Sequence, residues 1–231
     1  MKEIENVIEI YNDVADDYYE LCKDNLYHQG KVEKFLSLLD GKRILDAGCG
    51  FGKYSKFFIE KGFEPIGIDL ADDLLKIARR DVPTGKFEKV DITSLPYDDN
   101  SFEGVVAMFS LQHVPTKLLQ KTIQGFWCVL KPSGILLIGV QEGKTEEFIA
   151  EPFKPGKKIF TNLKTQVEWR KLLGTNFEII EMEVSKTESQ MDLAQNNILI
   201  IAKKRDTQAV FAASYGKLDS SGPKLSTEIT F

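Results

Sequence analysis

The sequence is poor in the residues that usually announce a scaffold, with three cysteines, two histidines and eight prolines in 231 positions. Cys22, Cys49 and Cys128 stand far apart, with no CxxC pair and no Cys/His spacing, which excludes a zinc framework and a disulfide-stapled fold. They read as reduced thiols, and no metal site is expected. Also missing is an apolar run near the roughly twenty residues that span a bilayer. The opening MKEIENVIEI is acidic where a secretory leader would be basic. A cytoplasmic protein with no membrane partner is the expectation. Nor is there a basic excess: 30 Lys and Arg against 35 Asp and Glu leave a net charge of −5, so nucleic acid is not the expected partner. What is present is core-forming material, 42% hydrophobic and 10% aromatic, enough for one sizeable domain and too much for wholesale disorder.

Between Lys42 and Val140 short apolar runs alternate with amphipathic stretches (KRILDAG, KYSKFFIEKG, FEPIGIDL, ADDLLKIARR, KFEKVDI), the sequence form of βαβ units. The runs at 43–45, 65–68, 104–108 and 134–140 are almost continuously apolar, as in a parallel sheet covered on both faces. Tyr54, Phe57 and Phe58 recur at helical spacing, as do Leu74, Leu75, Ile77 and Ala78, and a third apolar stripe runs over 116–130. A short helix is predicted at 165–173, then strands at 177–184 and 197–203 with no helix between them, hence an antiparallel edge pair.

The expected architecture is therefore a doubly wound α/β sheet of seven strands, Rossmann-like, with antiparallel edge strands and an N-terminal helical cover. Residues 1–40 form the cover, 41–204 the core and 205–231 a C-terminal appendage. Punctuated by Gly and Pro, 141–164 reads as largely loop, on the substrate side. Phe148, Phe153, Phe160 and Trp169 are candidates to line that side. In the tail, VFAASY and the terminal ITF offer apolar anchors through which the chain could self-associate.

Chemistry concentrates at strand ends. In ILDAGCGFG an apolar strand ends at Asp46 and runs into Gly48, Gly50 and Gly52, a turn that lets a ligand approach backbone closely. A dinucleotide fingerprint needs glycine at position 53, where this chain has Lys53, which speaks against NAD or FAD. The next strand ends in IGIDL, putting Asp69 where a carboxylate accepts hydrogen bonds from both hydroxyls of a ribose. A third acid, Asp91 in KVDI, stands with Ile92 where an adenine edge would lie, and Leu70 is an apolar neighbour. No GxxxxGKT pattern supplies a phosphate cradle, so a nucleoside fits better than a nucleotide.

These stretches resemble the class I S-adenosylmethionine-dependent methyltransferases, in their small-molecule branch. ILDAGCGFG is similar to the family's first cofactor motif, IGIDL to its ribose acid, and VDITSLPYDDNSFEGVVA to its adenine contact and fourth strand. LQHVP and WCVLKPSGILLIG resemble the stretches that follow. The resemblance implies S-adenosylmethionine as cofactor, S-adenosylhomocysteine as product, and a small-molecule or peptide acceptor whose O, N or C nucleophile attacks the sulfonium methyl in line. It assigns cofactor binding to Tyr11, Tyr19 (or its neighbour Tyr18), Asp46, Gly48, Cys49, Gly50, Asp69, Leu70, Asp91, Ile92, Phe109 and Ser110. His113 is the candidate base and Tyr11 a positioner. Three positions depart from the family pattern: Phe51 replaces a small polar residue, Glu103 an aspartate and Ser133 a glycine. Rival readings are a non-catalytic cofactor-binding or partner protein on the same fold, and an RNA-modifying enzyme. The latter is disfavoured because MFSLQH stands where an amino-methylating nucleic-acid enzyme carries Asn/Asp-Pro-Pro-aromatic.

Overall fold

A computed structural model describes residues 2–186 and 196–205. Its strands are β1 (Arg43–Ala47), β2 (Glu64–Asp69), β3 (Lys86–Lys89), β4 (Phe102–Met108), β5 (Leu130–Gln141), β6 (Thr145–Ala150), β7 (Lys158–Leu163), β8 (Phe177–Lys186) and β9 (Asn196–Lys204). Seven form one sheet in the order β3-β2-β1-β4-β5-β9-β8. The first five are parallel, and β9 runs antiparallel between β5 and β8. Strand order reverses between β1 and β4, the switch point beyond whose carboxyl ends ligands bind in open α/β sheets.

The helices are α1 (Lys2–Asp13), α2 (Ala15–Cys22), α3 (Gln29–Ser37), α4 (Lys53–Glu60), α5 (Asp72–Asp81), α6 (Thr116–Val129) and α7 (Gln166–Leu173). Because successive strand residues face opposite ways, each apolar doublet serves two cores. Leu45, Val105, Leu136 and Ile200 pack with Leu119, Ile123 and Phe126 of α6 and Trp169 of α7. Their chain neighbours Ile44, Val106, Leu137 and Ile201 pack with Phe35 of α3 and Phe58 of α4. Every residue of β4 is buried, and each large aliphatic side chain so buried contributes about 1.5–3 kcal/mol. Two departures from the family pattern have local reasons. Glu103 accepts the Arg43 backbone N–H at 2.8 Å and pairs with Lys131, and Ser133 stands at φ 61, the left-handed region where glycine is at ease.

The structure corrects the sequence reading in two places. Residues 141–164 are not largely loop, because β6 and β7 form an antiparallel hairpin with Phe148 opposite Phe160. Pro152 and Gly156 punctuate only its tip, while the flanks TEEFIA and KIFTNL carry the β-branched and aromatic residues of strands. The single helix read through VIEIYNDVADDYYELC divides at buried Val14 into α1 and α2. α7 starts as expected, with Thr165 accepting from the Glu168 N–H in a capping box. Expectations for residues 206–231, including self-association through the tail, lie outside the described residues. Among the described residues no helix is long and apolar enough to cross a membrane.

Candidate active site

The glycine turn after β1 is pinned to β2, since the N–H groups of Gly48 and Cys49 both donate to the Ile68 carbonyl at 2.8 and 2.9 Å. This brings Gly50 against Asp69: the Gly50 N–H donates to Oδ2 and the Ala71 N–H to Oδ1, each at 2.9 Å. Each carboxylate oxygen thus keeps acceptor capacity for a further donor. Burial raises the Asp69 pKa above the ordinary carboxylate value, which makes donors from a ligand favourable to the charged form. Gly50 is left-handed, at φ 54, and a side chain there would meet only Leu74 Cδ1, at 3.8 Å, so the backbone borders open space.

That space is a chamber of about 120 Å³ lined by Asp69, Leu70, Leu74, Asp91, Ile92 and Ser110, among others. Ile4, Val7, Ile8 and Tyr11 of α1 close it on one side. Asp91 lies two residues past β3 and its Oδ1 accepts the Thr93 N–H at 2.8 Å. Among the described residues no lysine or arginine lines this chamber. It offers a half-buried carboxylate, an apolar slot and a bare backbone turn, which suits an uncharged nucleoside and leaves a phosphate chain without counter-charge.

A second chamber of about 140 Å³ adjoins the first and shares Tyr11, Tyr18, Gly48, Gly50, Phe109 and His113 with it. Tyr11 and His113 form the common wall. The Phe160 carbonyl, which can only accept, lies 2.8 Å from His113 Nδ1, so Nδ1 carries the hydrogen. Nε2, left bare, accepts the Tyr11 hydroxyl at 3.0 Å. Burial pushes the imidazole down to about 4 and the Tyr11 phenol up. His113 is therefore neutral at pH 7, with both nitrogens occupied.

Further into the second chamber stand Lys53, Glu151 and three buried amides, Gln112, Gln141 and Asn197. Lys53 opens α4. Its ammonium donates to the Asn25 carbonyl at 2.8 Å and the Cys22 carbonyl at 3.3 Å, and it sits 4.8 Å from the Tyr27 ring centre. Among the described residues it is the one lysine or arginine that lines either chamber, and burial lowers its pKa. Glu151 accepts the Phe153 and Lys154 N–H groups at 2.8 and 2.6 Å. Asn197 Oδ1 is buried without a hydrogen-bond partner among the described residues, a condition that costs about 1–3 kcal/mol.

Most of the sequence-assigned residues come together here, and some do so as supports. Asp46 lines neither chamber: it is 1% exposed, takes the Ser55 hydroxyl at 2.6 Å, and is pushed up to about 7 by burial. Ser110 Oγ donates to the Ala47 carbonyl at 2.8 Å while lying over Gly48, whose added Cβ would come within 2.3 Å of Ser110 Cβ. Cys49 lines the second chamber, and Phe109, left-handed at φ 60, lines both. Tyr19 is a correction. It faces Phe51 and Arg80, outside both chambers, whereas its neighbour Tyr18 lines both. Of the four loop aromatics only Phe153 lines a chamber. Trp169 is core, and Phe148 and Phe160 pack on each other. Phe51, where the family pattern has a small polar residue, meets Tyr18 and Tyr19 edge to face at 5.5 and 5.4 Å and so anchors α2.

The sequence reading missed Lys53, Gln112, Gln141, Glu151 and Asn197 as members of the site. Gln141 was the most detectable, being the first polar residue after the apolar run GILLIGV, at the end of a strand aimed at the switch point.

A family profile described as a methyltransferase domain matches residues 44–134. YqeM of Bacillus subtilis, named as a methyltransferase, is 37% identical over 136 residues, 57% of this chain and 55% of that protein. A demethylmenaquinone methyltransferase of Renibacterium salmoninarum is 29% identical over 169 residues, covering 69% of this chain and 66% of that one. The matches thus span between about half and two thirds of these relatives' lengths. Among solved structures, a SAM-dependent methyltransferase from Methanosarcina mazei superposes with a TM-score of 0.68 at 24% identity, covering 78% of this chain and 98% of the other. That likeness is one of fold.

Proposed function

We propose that this chain, similar to a methyltransferase-domain profile over residues 44–134 and to methyltransferases in sequence and fold, is a class I S-adenosylmethionine-dependent methyltransferase that moves a methyl group from this cofactor to a small molecule held in the second chamber. The observation that carries the reading is Asp69, half-buried at a strand end, fixed by two backbone N–H groups and still open to donors beside a bare glycine turn. In this reading Asp69 takes the ribose hydroxyls, and Leu70, Asp91 and Ile92 border the adenine. Lys53 is the counter-charge for the carboxylate of the amino-acid end. When bound, S-adenosylmethionine supplies a methyl group already activated by its sulfonium centre.

What remains for the chain is to hold a nucleophile in line and exclude water. Phe109 and Tyr18, facing both chambers, border the junction, while α1 and the β6–β7 hairpin close over it as a lid. With its pKa near 4 and Nε2 occupied, His113 acts chiefly by holding the Tyr11 hydroxyl in place. A proton from the acceptor reaches it only by way of the Tyr11 oxygen. The test is incubation with methyl-labelled cofactor and a metabolite panel, read by mass spectrometry. A labelled product supports the reading. Failure of both S-adenosylmethionine and S-adenosylhomocysteine to bind by calorimetry overturns it, and binding without product against a broad panel points to a non-catalytic binding protein.

A further inference from the structure

We propose that the acceptor is recognised by an amide floor made of Gln112, Gln141 and Asn197, and is a polar planar molecule presenting an N–H donor next to a carbonyl acceptor, as lactam and pyrimidine-type rings do. The proposal rests on the methyl-transfer reading in taking the second chamber as the acceptor's.

The three amides form one contiguous group. Gln141 ends β5 and stands opposite Asn197 in the register with β9. Gln112, in the single turn after β4, accepts the Gln141 backbone N–H through its side-chain oxygen at 3.1 Å. All three line the second chamber and each is 4% exposed. The Gln112 oxygen is committed, so what its side chain has left to give is its NH₂ group, a donor. Asn197 Oδ1 has the opposite need: it is a buried acceptor with no donor among the described residues. The bare Asn197 oxygen therefore stands near the NH₂ donor of Gln112, in a wall that also carries the flat or polarisable side chains of Met108, Phe109 and Phe153.

Beyond Asn197 the strand continues ILIIA, buried throughout. An apolar residue at 197 would meet the packing demands of that strand, whereas an unpaired amide there weakens the free protein. Such a local conflict is characteristic of a ligand site. A molecule with only apolar edges, or with carbonyls and no donor, leaves Asn197 bare. One with adjacent N–H and C=O groups satisfies both ends of the floor.

The experiment uses the full chain saturated with S-adenosylhomocysteine and three probes read by saturation-transfer NMR and calorimetry. These are uracil, 1,3-dimethyluracil (the same ring without N–H) and 1,4-naphthoquinone. Uracil is expected to bind at least tenfold more tightly than the other two. In Asn197→Leu that preference should disappear, while affinity for S-adenosylhomocysteine changes less than twofold and Tm does not fall. Equal or tighter binding of 1,3-dimethyluracil or 1,4-naphthoquinone overturns the proposal, as does a preference for uracil that survives in Asn197→Leu. A lowered Tm in that variant also overturns it, by making the amide a structural element. Should Asn197→Leu fail to fold, Asn197→Ala reads the same preference. If the wild-type chain does not bind S-adenosylhomocysteine, the methyl-transfer reading itself fails, whereas intact binding of that product without a uracil preference removes the amide floor alone.

Discussion

The two chambers share a wall but are assembled by opposite means. The acids of the first are locally held: Asp69, with Leu70 and Leu74, comes from one strand end and the helix after it, and Asp91, with Ile92, from the next, while α1 and the turn after β4 close around them. Its polar groups are fixed by backbone N–H donors two to nineteen residues away. The second is long-range, drawing Lys53, Gln112, Gln141, Glu151 and Asn197 from five separate segments. A nucleoside site shared across a family can be encoded in short turns. A site that distinguishes one acceptor from another is encoded in packing between distant segments, where substitution alters it without disturbing the first chamber.

The common wall gives the largest expected effect. The His113 imidazole is held at about 4 by burial, against about 6.5 for a free histidine. Between these values the unfolded chain binds more protons than the folded one, so stability is complete above about pH 6.5 and falls as pH drops towards 4, by about 3 kcal/mol. Urea titrations at pH 7 and pH 4.5 should show this loss in the wild type and a smaller one in His113→Gln. Identical slopes would mean that the imidazole is hydrated and the wall open.

Within the first chamber, Asp69→Ala should weaken S-adenosylhomocysteine by about 1.5–3 kcal/mol, roughly ten- to a hundredfold, because a charged acceptor of two hydroxyls is lost. Calorimetry on the folded variant decides it. An unchanged affinity refutes the ribose assignment, and tighter binding of NAD refutes the cofactor.

Lys53→Met sharpens the boundary between the chambers. S-adenosylhomocysteine should lose about tenfold, roughly 1.4 kcal/mol, while 5′-methylthioadenosine, which lacks the amino-acid end, should lose nothing. Equal losses for both ligands would return Lys53 to a purely structural role under the α2–α3 connection.

The smallest effect belongs to Asn6. Its amide donates to the Lys158 carbonyl at 3.0 Å and accepts the Phe160 N–H at 2.9 Å, tying α1 to β7. Asn6→Ala should cost about 1 kcal/mol of stability and speed hydrogen exchange at the Phe160 amide. Unaltered exchange would show that the hairpin holds without α1.

The same contrast explains what could be read from the sequence. Alternating apolar runs and acids at strand ends are period and position, which a sequence displays; the runs form the sheet, and two of the three acids, Asp69 and Asp91, line the first chamber. The hairpin escaped because Pro152 and Gly156 dominated a stretch whose strands are only six residues each. Tyr18 and Tyr19 are adjacent in the chain, and the turn at Val14 and the ring of Phe51 decide which of them faces the chambers. His113 was visible as a candidate, yet its behaviour depends on a carbonyl 47 residues away. The amides at 112, 141 and 197 carry no motif. They become a set only when β9 enters between β5 and β8.

The clasp between α1 and the hairpin has a kinetic corollary. Asn6 joins them through backbone, and Lys157 adds ion pairs to Asp13 at 2.9 Å and Glu9 at 3.4 Å. One partner covers the first chamber and the other, through Ile159, borders the second. If they swing together, both ligands exchange on a single clock. The residence time of the spent cofactor is then set by whatever occupies the neighbouring chamber, and an acceptor analogue that reacts with nothing should still slow its departure.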